Sequence, residues 1–159
     1  MKRIKFIGFM AVIALLIGIA FSCEKEDPVP SCEQNKVGSV LVINNTPYMG
    51  EFDVTWGDVV EYQERIINSG NSYPYNNVPA YGHPESYGGQ IELWAKVKIG
   101  STWTNWTMFT EDLSPCEEME YEWYMESRKS TEVRMLVDVY RNGVFDKTVE
   151  AVRAEKVKK

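Results

Sequence analysis

The chain has 159 residues, which suits one domain with a hydrophobic core of its own. Asp and Glu number 23 against 17 Lys and Arg, so the formal net charge is −6. This acidity argues against nucleic acid as a partner, and against binding to an anionic membrane through charge. Five Trp and nine Tyr are present, and this aromatic content favours a β domain or a binding face.

Residues 1–22 have the layout of a secretory signal peptide. Lys2, Arg3 and Lys5 precede an apolar run at 6–21 that contains neither charge nor proline. A helix over this run would extend roughly 24 Å, less than the ~30 Å hydrocarbon core of a bilayer. A cleaved leader is therefore favoured over an uncleaved membrane helix. Cleavage would leave 14 basic against 23 acidic residues, a net charge of −9.

The end of the leader, Ala20-Phe21-Ser22-Cys23, resembles the lipobox of bacterial lipoproteins. In that family the cysteine thiol receives lipid, and a dedicated peptidase cuts the chain just before it. The resemblance therefore implies that Cys23 is lipidated and that the membrane is a partner through this lipid. One position departs from the family pattern, since Ala20 stands where leucine is usual. Two or three acyl chains are enough for stable anchoring.

The charged residues after Cys23 resemble the export signal of Bacteroidota lipoproteins, a lysine followed by an acidic pair. Lys25, Glu26 and Asp27 match that signal. The resemblance implies the bacterial outer membrane as location, surface-exposed, with the periplasmic face as the alternative. A solvated charged tether would have the same composition, so both interpretations stay open. Residues 23–31 as a whole predict a lipidated tether to the domain.

Two cysteines remain once Cys23 is assigned to lipid. Cys32 and Cys116 form an even pair in an oxidising compartment, which favours a disulfide between them. The alternative is two free buried thiols.

The first half of the remaining chain predicts strands from alternation and turn residues. The β-branched run at 36–44 ends in asparagines and predicts a first strand. Residues 52–56 alternate strictly, and a turn at 57–58 would lead into a second hairpin arm at 59–67. Residues 68–89 have no apolar period, which predicts a long loop or two short edge strands with turns.

The second half has clearer alternation. Trp94 lies on the wet face of its strand, opposite a core face formed by alternate apolar residues from Ile91 to Ile99. Asn142-Gly143 is the strongest hairpin signal, because both residues accept positive φ. Further strands are predicted at 91–99, 102–110, 117–125, from 133 onward and at 144–152.

These segments predict an all-β fold, a single β-sandwich of about seven to nine mostly antiparallel strands over residues 32–152. Residues 153–159 form a charged tail. The layout, with a cysteine before the first strand and the run at 42–46, resembles small immunoglobulin-like or transthyretin-like domains of Bacteroidota lipoproteins. This resemblance implies a fold and no activity.

No catalytic residue, metal site or cofactor is expected. His83 is the only histidine, and its neighbour Ser86 lies in a glycine-rich stretch typical of a turn rather than a triad. One histidine and two oxidised cysteines leave too few zinc ligands. The acidic pairs at 111–112 and 117–118 lack EF-hand spacing, which favours a solvated acidic rim over a calcium site.

Aromatic side chains supply the candidate binding face. Trp103 and Trp106 differ by three positions, so on one strand one would be core and the other exposed. Exposed rings can stack on sugars, although they also form cross-strand pairs that bind nothing. The candidate face consists of Trp94, Trp103, Trp106, Tyr73, Tyr75, Tyr81 and Tyr87.

The function expected from these observations is a lipid-anchored, non-enzymatic binding or adhesion module for a glycan or an envelope protein. The alternative is a structural or accessory subunit of an outer-membrane assembly that pairs through a sheet edge or apolar patch. An outward row of aromatic rings would favour the first hypothesis, and a bare apolar edge strand the second. An enzyme, the third hypothesis, would need a deep pocket with convergent acids.

Overall fold

A computed structural model describes residues 29–57, 64–86, 88–127 and 133–155. Cys23, the export residues at 25–27 and Tyr87 lie outside the described residues, as does the whole predicted leader. In the described ranges, no helix has the length and apolar character needed to cross a membrane.

The described residues form one short helix and eleven strands, which confirms the predicted all-β fold. The helix α1 begins after Pro30 and ends at Asn35, and the capping residue Lys36 adopts a left-handed conformation. The elements are α1 (Ser31–Asn35), β1 (Val37–Asn44), β2 (Gly50–Trp56), β3 (Arg65–Ile67), β4 (Ser72–Pro79), β5 (Gln90–Ile99), β6 (Thr102–Trp103), β7 (Thr107–Asp112), β8 (Glu118–Ser127), β9 (Val133–Arg141), β10 (Val144–Glu150) and β11 (Val152–Arg153).

The strand count exceeds the predicted seven to nine for three reasons. The region predicted as a loop or two short strands contains one eight-residue edge strand, β4. The strand predicted at 102–110 is divided into β6 and β7. The last predicted strand is divided at Ala151, and β11 joins the opposite sheet from β10. The positions of Gly and Pro do not predict such divisions. A strand can also end where its backbone groups hydrogen-bond to another segment.

The strands form two facing sheets. Sheet A has the order β10-β9-β8-β1-β4, and sheet B has the order β11-β7-β5-β2-β3 with β6 beside β5. The pairing is antiparallel except between β1 and β8, which run parallel. The predicted second hairpin arm is represented by β3, which pairs antiparallel with β2 through only three residues. Residues 59–63 of that arm lie outside the described ranges, as does Asp58 of the turn before it.

The core lies between the sheets and is centred on aromatic rings. Phe109 of β7 contacts Tyr121 and Trp123 of β8, with ring centroids 5.5 and 5.4 Å apart. Phe52 of β2 contacts the same Trp123 at 5.8 Å. Each of these buried side chains stabilises the fold by roughly 1.5–3 kcal/mol relative to its exposed state. The two sheets are therefore joined by aromatic side chains from β2, β7 and β8.

The predicted core face of β5 is confirmed for four of its five residues. Alternate residues from Ile91 to Val97 are buried, whereas Ile99 is 36% exposed. Ile99 is the last residue of the strand and immediately precedes the turn at Gly100, which has a positive φ. The exposed member of the predicted core face is thus the one at the end of the strand.

The Asn142-Gly143 hairpin and the Cys32–Cys116 disulfide are both confirmed. Asn142 and Gly143 have φ angles of 51° and 76°, as a tight turn between β9 and β10 requires. The disulfide joins α1 to the turn before β8, with its two Cα atoms 5.1 Å apart. It links two segments that are 84 residues apart in sequence.

Candidate binding face

The outer face of sheet B is formed by the side chains of β2, β5 and β7 that point away from the core. Strand register decides its membership, because residues directly opposite one another point to the same side of a sheet. Trp94 lies opposite Asp53 of β2 and Met108 of β7, and Lys96 lies opposite Glu51. A face that combines charged side chains with Trp94 and Met108 therefore crosses the middle of this sheet.

Trp94 is on this outer face but is not exposed. Its side chain is only 8% accessible, so its predicted role as a wet stacking platform is wrong. Its Nε1 donates to Glu92 Oε2 at 3.1 Å, and Thr55 Oγ1 donates to the same oxygen at 3.2 Å. Trp94 is therefore a buried side chain of this face, held by its hydrogen bond to Glu92.

Trp103 and Trp106 lie on the same side of sheet B, contrary to the prediction that one is core and one exposed. Both are half-buried, with Lys96 Nζ lying 5.1 Å from the Trp103 ring centroid and 4.3 Å from that of Trp106. The alternation rule fails because the chain leaves the strand after Trp103. Thr104 N donates to the Val97 carbonyl at 2.9 Å, and Thr104 Oγ1 accepts from Val97 N at 3.0 Å.

The lysine between these rings is held in place. Lys96 Nζ pairs with Glu51 at 2.9 Å, and both side chains are at most one-fifth exposed. Lys98 Nζ lies 5.9 Å from the Trp103 ring. Cation–π contacts contribute from about 0.5 kcal/mol when exposed to about 2 kcal/mol when desolvated. We call Glu51, Lys96, Lys98, Trp103 and Trp106 the Trp–Lys cluster.

Lys96 and Glu51 are members of the cluster that do not belong to the face predicted from the sequence. Lys96 had a readable signal, because it is two residues from Trp94 and shares its side of the strand. Glu51 had none, because only the β2–β5 register brings it opposite Lys96.

Tyr73, Tyr75 and Tyr81 were predicted to belong to this face, but none of them lies on it. Tyr75 is 3% exposed in the core, where its hydroxyl donates to the Phe52 carbonyl at 3.4 Å. Burial, followed by the charge of Asp53, raises its pKa. Tyr73 packs edge-on against Tyr75 at 5.0 Å from the core side of β4, with the Arg65 guanidinium 5.1 Å from its ring.

Tyr81 is exposed and lies after β4, with its backbone N donating to the Leu113 carbonyl at 2.9 Å. The predicted binding face is thus divided. The three tryptophans share the outer face of sheet B, whereas Tyr73 and Tyr75 turn toward the core from sheet A. Tyr87 lies outside the described residues.

The prediction of a solvated acidic rim around Cys116 holds for only two of its four residues: Asp112 and Glu118 are exposed, whereas Glu111 and Glu117 are not. Glu111 is buried, and its carboxylate pairs with Arg141 at 2.8 Å and with Lys147 at 2.6 Å. Arg141 also pairs with Glu117 at 2.7 Å and Asp146 at 3.3 Å. Desolvation lowers the pKa of Arg141, but the hydrogen bond and charge of Glu117, with the other carboxylates, outweigh it and raise the pKa overall. We call this group the Arg141 network.

His83 and Ser86 make turn contacts. His83 Nδ1 accepts from Glu85 N at 3.1 Å, and Ser86 Oγ accepts from Gly89 N at 2.8 Å. Across the described ranges, no group of three or more His, Cys, Asp or Glu side chains is placed to hold a metal ion.

Comparison with known proteins adds no relatives. No protein-family model matches the chain. Neither curated proteins nor solved structures show significant similarity to it.

Proposed function

We propose that this chain is a non-enzymatic glycan-binding module, anchored by lipid on Cys23 in the outer membrane of a Bacteroidota-type bacterium. The single observation that carries the binding proposal is the Trp–Lys cluster. Two half-buried indoles share one face and flank a lysine–glutamate ion pair. The anchor rests on the lipobox-like residues before Cys23 and the charged residues after it.

The chemistry of the cluster suits a sugar ring. A pyranose presents an apolar C–H surface and a rim of hydroxyl groups, so it needs an aromatic platform beside polar groups. Trp103 and Trp106 supply the platform, while Lys96 and Glu51 supply a donor and acceptors. The ion pair to Glu51 holds Lys96 in place before a ligand arrives, which lowers the entropy cost of binding.

The sheet edges give less support to a structural subunit that pairs by strand addition. β10 has a bulge after Phe145 and carries Lys147, and β4 contains Pro74 and Pro79. At the edges of sheet B, β3 and β11 contain three and two residues. Bulges, prolines, lysines and short strands are the devices that discourage pairing with another chain.

A glycan array on the mature protein, purified with its anchor in detergent, tests the binding proposal. We expect Trp106→Ala to weaken binding by about 2 kcal/mol, or roughly thirtyfold, because a central aromatic anchor is lost. Tyr81→Ala is the matched control, since it removes an exposed aromatic ring outside the cluster. Circular dichroism should first show that both variants are folded. Absence of glycan binding by the parent, or equal binding by Trp106→Ala, would contradict the proposal.

Metabolic labelling with an alkyne fatty acid tests the anchor. We expect the parent to incorporate label and to fractionate with membranes, and Cys23→Ala to do neither. The control is the double variant Cys32→Ala/Cys116→Ala, which loses the disulfide and should keep the label. A mature protein without acyl mass would exclude lipidation.

A further inference from the structure

The outer face of sheet A, on the opposite side of the molecule from the Trp–Lys cluster, combines apolar and acidic side chains in register. One row across β1, β8, β9 and β10 consists of Leu41, Glu120, Tyr140 and Phe145. Tyr140 and Phe145 are in edge-to-face contact at 5.6 Å, and Phe145 is 54% exposed. Glu120 is therefore placed in the middle of an otherwise apolar row.

The neighbouring row adds two more carboxylates. It consists of Ile43, Glu122, Asp138 and Thr148, so Glu122 and Asp138 lie directly opposite each other on β8 and β9. Like charges at directly opposite positions destabilise a sheet. Desolvation, followed by the charges of Glu120 and Asp138, raises the pKa of Glu122. These two rows, from Leu41 to Phe145 and from Ile43 to Thr148, form what we call the acidic–aromatic face.

No described Lys or Arg side chain forms an ion pair with the three carboxylates of this face. Asp138 accepts hydrogen bonds from Tyr124 and Thr148, and Glu122 accepts one from Asn45 at 3.2 Å. Arg134 lies further along β9, where it pairs with Glu126 and Glu150. Elsewhere the half-buried carboxylates Glu51 and Glu117 do have cationic partners. The uncompensated charge is thus concentrated where the sheet is also apolar.

We propose that the acidic–aromatic face is a docking surface for a cationic amphipathic segment of another protein. Such a segment would place apolar side chains on Leu41, Tyr140 and Phe145 and arginine or lysine side chains on Glu120 and Glu122. An arginine at this position would make two favourable contacts, because its guanidinium pairs with a carboxylate and stacks on a neighbouring aromatic ring. A second copy of this acidic chain lacks the charge complementarity. The proposal does not depend on glycan binding, since it concerns the other sheet.

A peptide titration tests this surface on the mature protein in detergent. The probe is a helical peptide of about 18 residues, with a leucine stripe flanked by arginines. Two comparison peptides replace arginine with glutamate or leucine with serine. We expect only the first peptide to bind, with weaker binding at higher ionic strength because the carboxylates are partly exposed.

Variants of the protein locate the binding. We expect Glu120→Gln/Glu122→Gln to weaken binding tenfold or more, and Phe145→Ala to weaken it severalfold. The matched control is Glu33→Gln/Glu85→Gln, which removes the same number of charges at exposed positions away from this face. Amide chemical shifts should move on β8, β9 and β10.

Failure of the basic peptide to bind would overturn the proposal. Equal weakening by the control variant would also overturn it, because the attraction would then reflect net charge alone. Binding that requires arginine but not leucine would exclude an amphipathic partner.

Discussion

Arg141 is one of two side chains, with Lys147, that connect the two sheets through ion pairs to Glu111. It extends from β9 of sheet A and pairs with Glu111 of β7 in sheet B, as well as with Glu117 and Asp146. The buried Glu111 would lose one of its two cationic partners without it. A buried carboxylate deprived of its partner costs far more than an exposed ion pair contributes.

We expect Arg141→Met to lower the free energy of unfolding by about 2 kcal/mol, a figure reduced from that for fully buried pairs because Arg141 is partly exposed. The matched control is Arg134→Met, whose partners Glu126 and Glu150 are largely exposed. That change should cost less than about 1 kcal/mol. Urea unfolding measures both. Equal costs would show that the Arg141 network does not stabilise the sheet junction.

Glu122 provides a pH-dependent prediction at the same scale. Its pKa is raised in the folded protein, so its ionisation opposes folding as the pH rises through the carboxyl range, and the cost persists at pH 7. Because this carboxylate is partly exposed and solvent screens its repulsion, Glu122→Gln should be more stable than the parent by only about 0.5 kcal/mol at pH 7. The gain should disappear below about pH 4, where the carboxyl is protonated in both states.

The difference in stability between Glu122→Gln and the parent can be measured by thermal unfolding at several pH values. Glu85→Gln, at an exposed position, controls for net charge. A gain that grows as the pH falls would contradict this assignment.

At the scale of elements, two glycines in the connections between strands are needed for different reasons. One is needed for its positive φ, and the other also because no side chain would fit. Gly143, in the β9–β10 hairpin, and Gly89, before β5, have nearly equal φ angles of 76° and 81°. A Cβ on Gly143 would meet nothing within 4 Å. A Cβ on Gly89 would lie 2.8 Å from the Tyr81 backbone and 2.9 Å from the Leu113 carbonyl oxygen. Gly89 is therefore required for space as well as for conformation.

The two alanine substitutions separate these effects. Gly143→Ala should cost about 1 kcal/mol, the strain of a left-handed conformation alone. Gly89→Ala should cost about 3 kcal/mol, because backbone atoms of two neighbouring segments would also have to move. Chemical denaturation of both variants gives the comparison. Equal costs would mean that the close approach at Gly89 relaxes freely.

At the scale of the whole molecule, the disulfide joins the start of the domain to its second half. Cys32 and Cys116 close a loop with a sequence separation of 84 residues, and loops of this length gain about 4.5 kcal/mol in the chain-entropy account. We expect Cys32→Ala/Cys116→Ala to lower the free energy of unfolding by about that amount. Reductant should destabilise the parent and leave the variant unchanged. Labelling of both thiols in the native parent would show that the bridge is not formed.

The molecule presents two different surfaces on its two sheets. Sheet B exposes the Trp–Lys cluster, in which charges are paired, and sheet A exposes the acidic–aromatic face, in which three carboxylates have no described cationic partner. A sandwich provides this arrangement because each sheet has one face in the core and one in solvent. The two proposed binding events would therefore not compete for the same residues.

The sequence alone determined the features that depend on local spacing. Period-two alternation identified the core face of β5, Asn142-Gly143 identified its hairpin, and an even pair of cysteines identified the disulfide. These inferences succeed because each rests on the residues themselves or on near neighbours in the chain. The all-β class follows from the same local signals.

Only the tertiary structure decided which residues meet across strands. The break after Trp103 places both indoles on one side, and the β2–β5 register brings Glu51 to Lys96. Tyr75 turns into the core because β4 pairs with β1 of sheet A. Arg141 reaches Glu111 across the two sheets, 30 residues away in sequence. Such contacts depend on strand order and on hydrogen-bond partners distant along the chain, so they cannot be predicted from residue spacing.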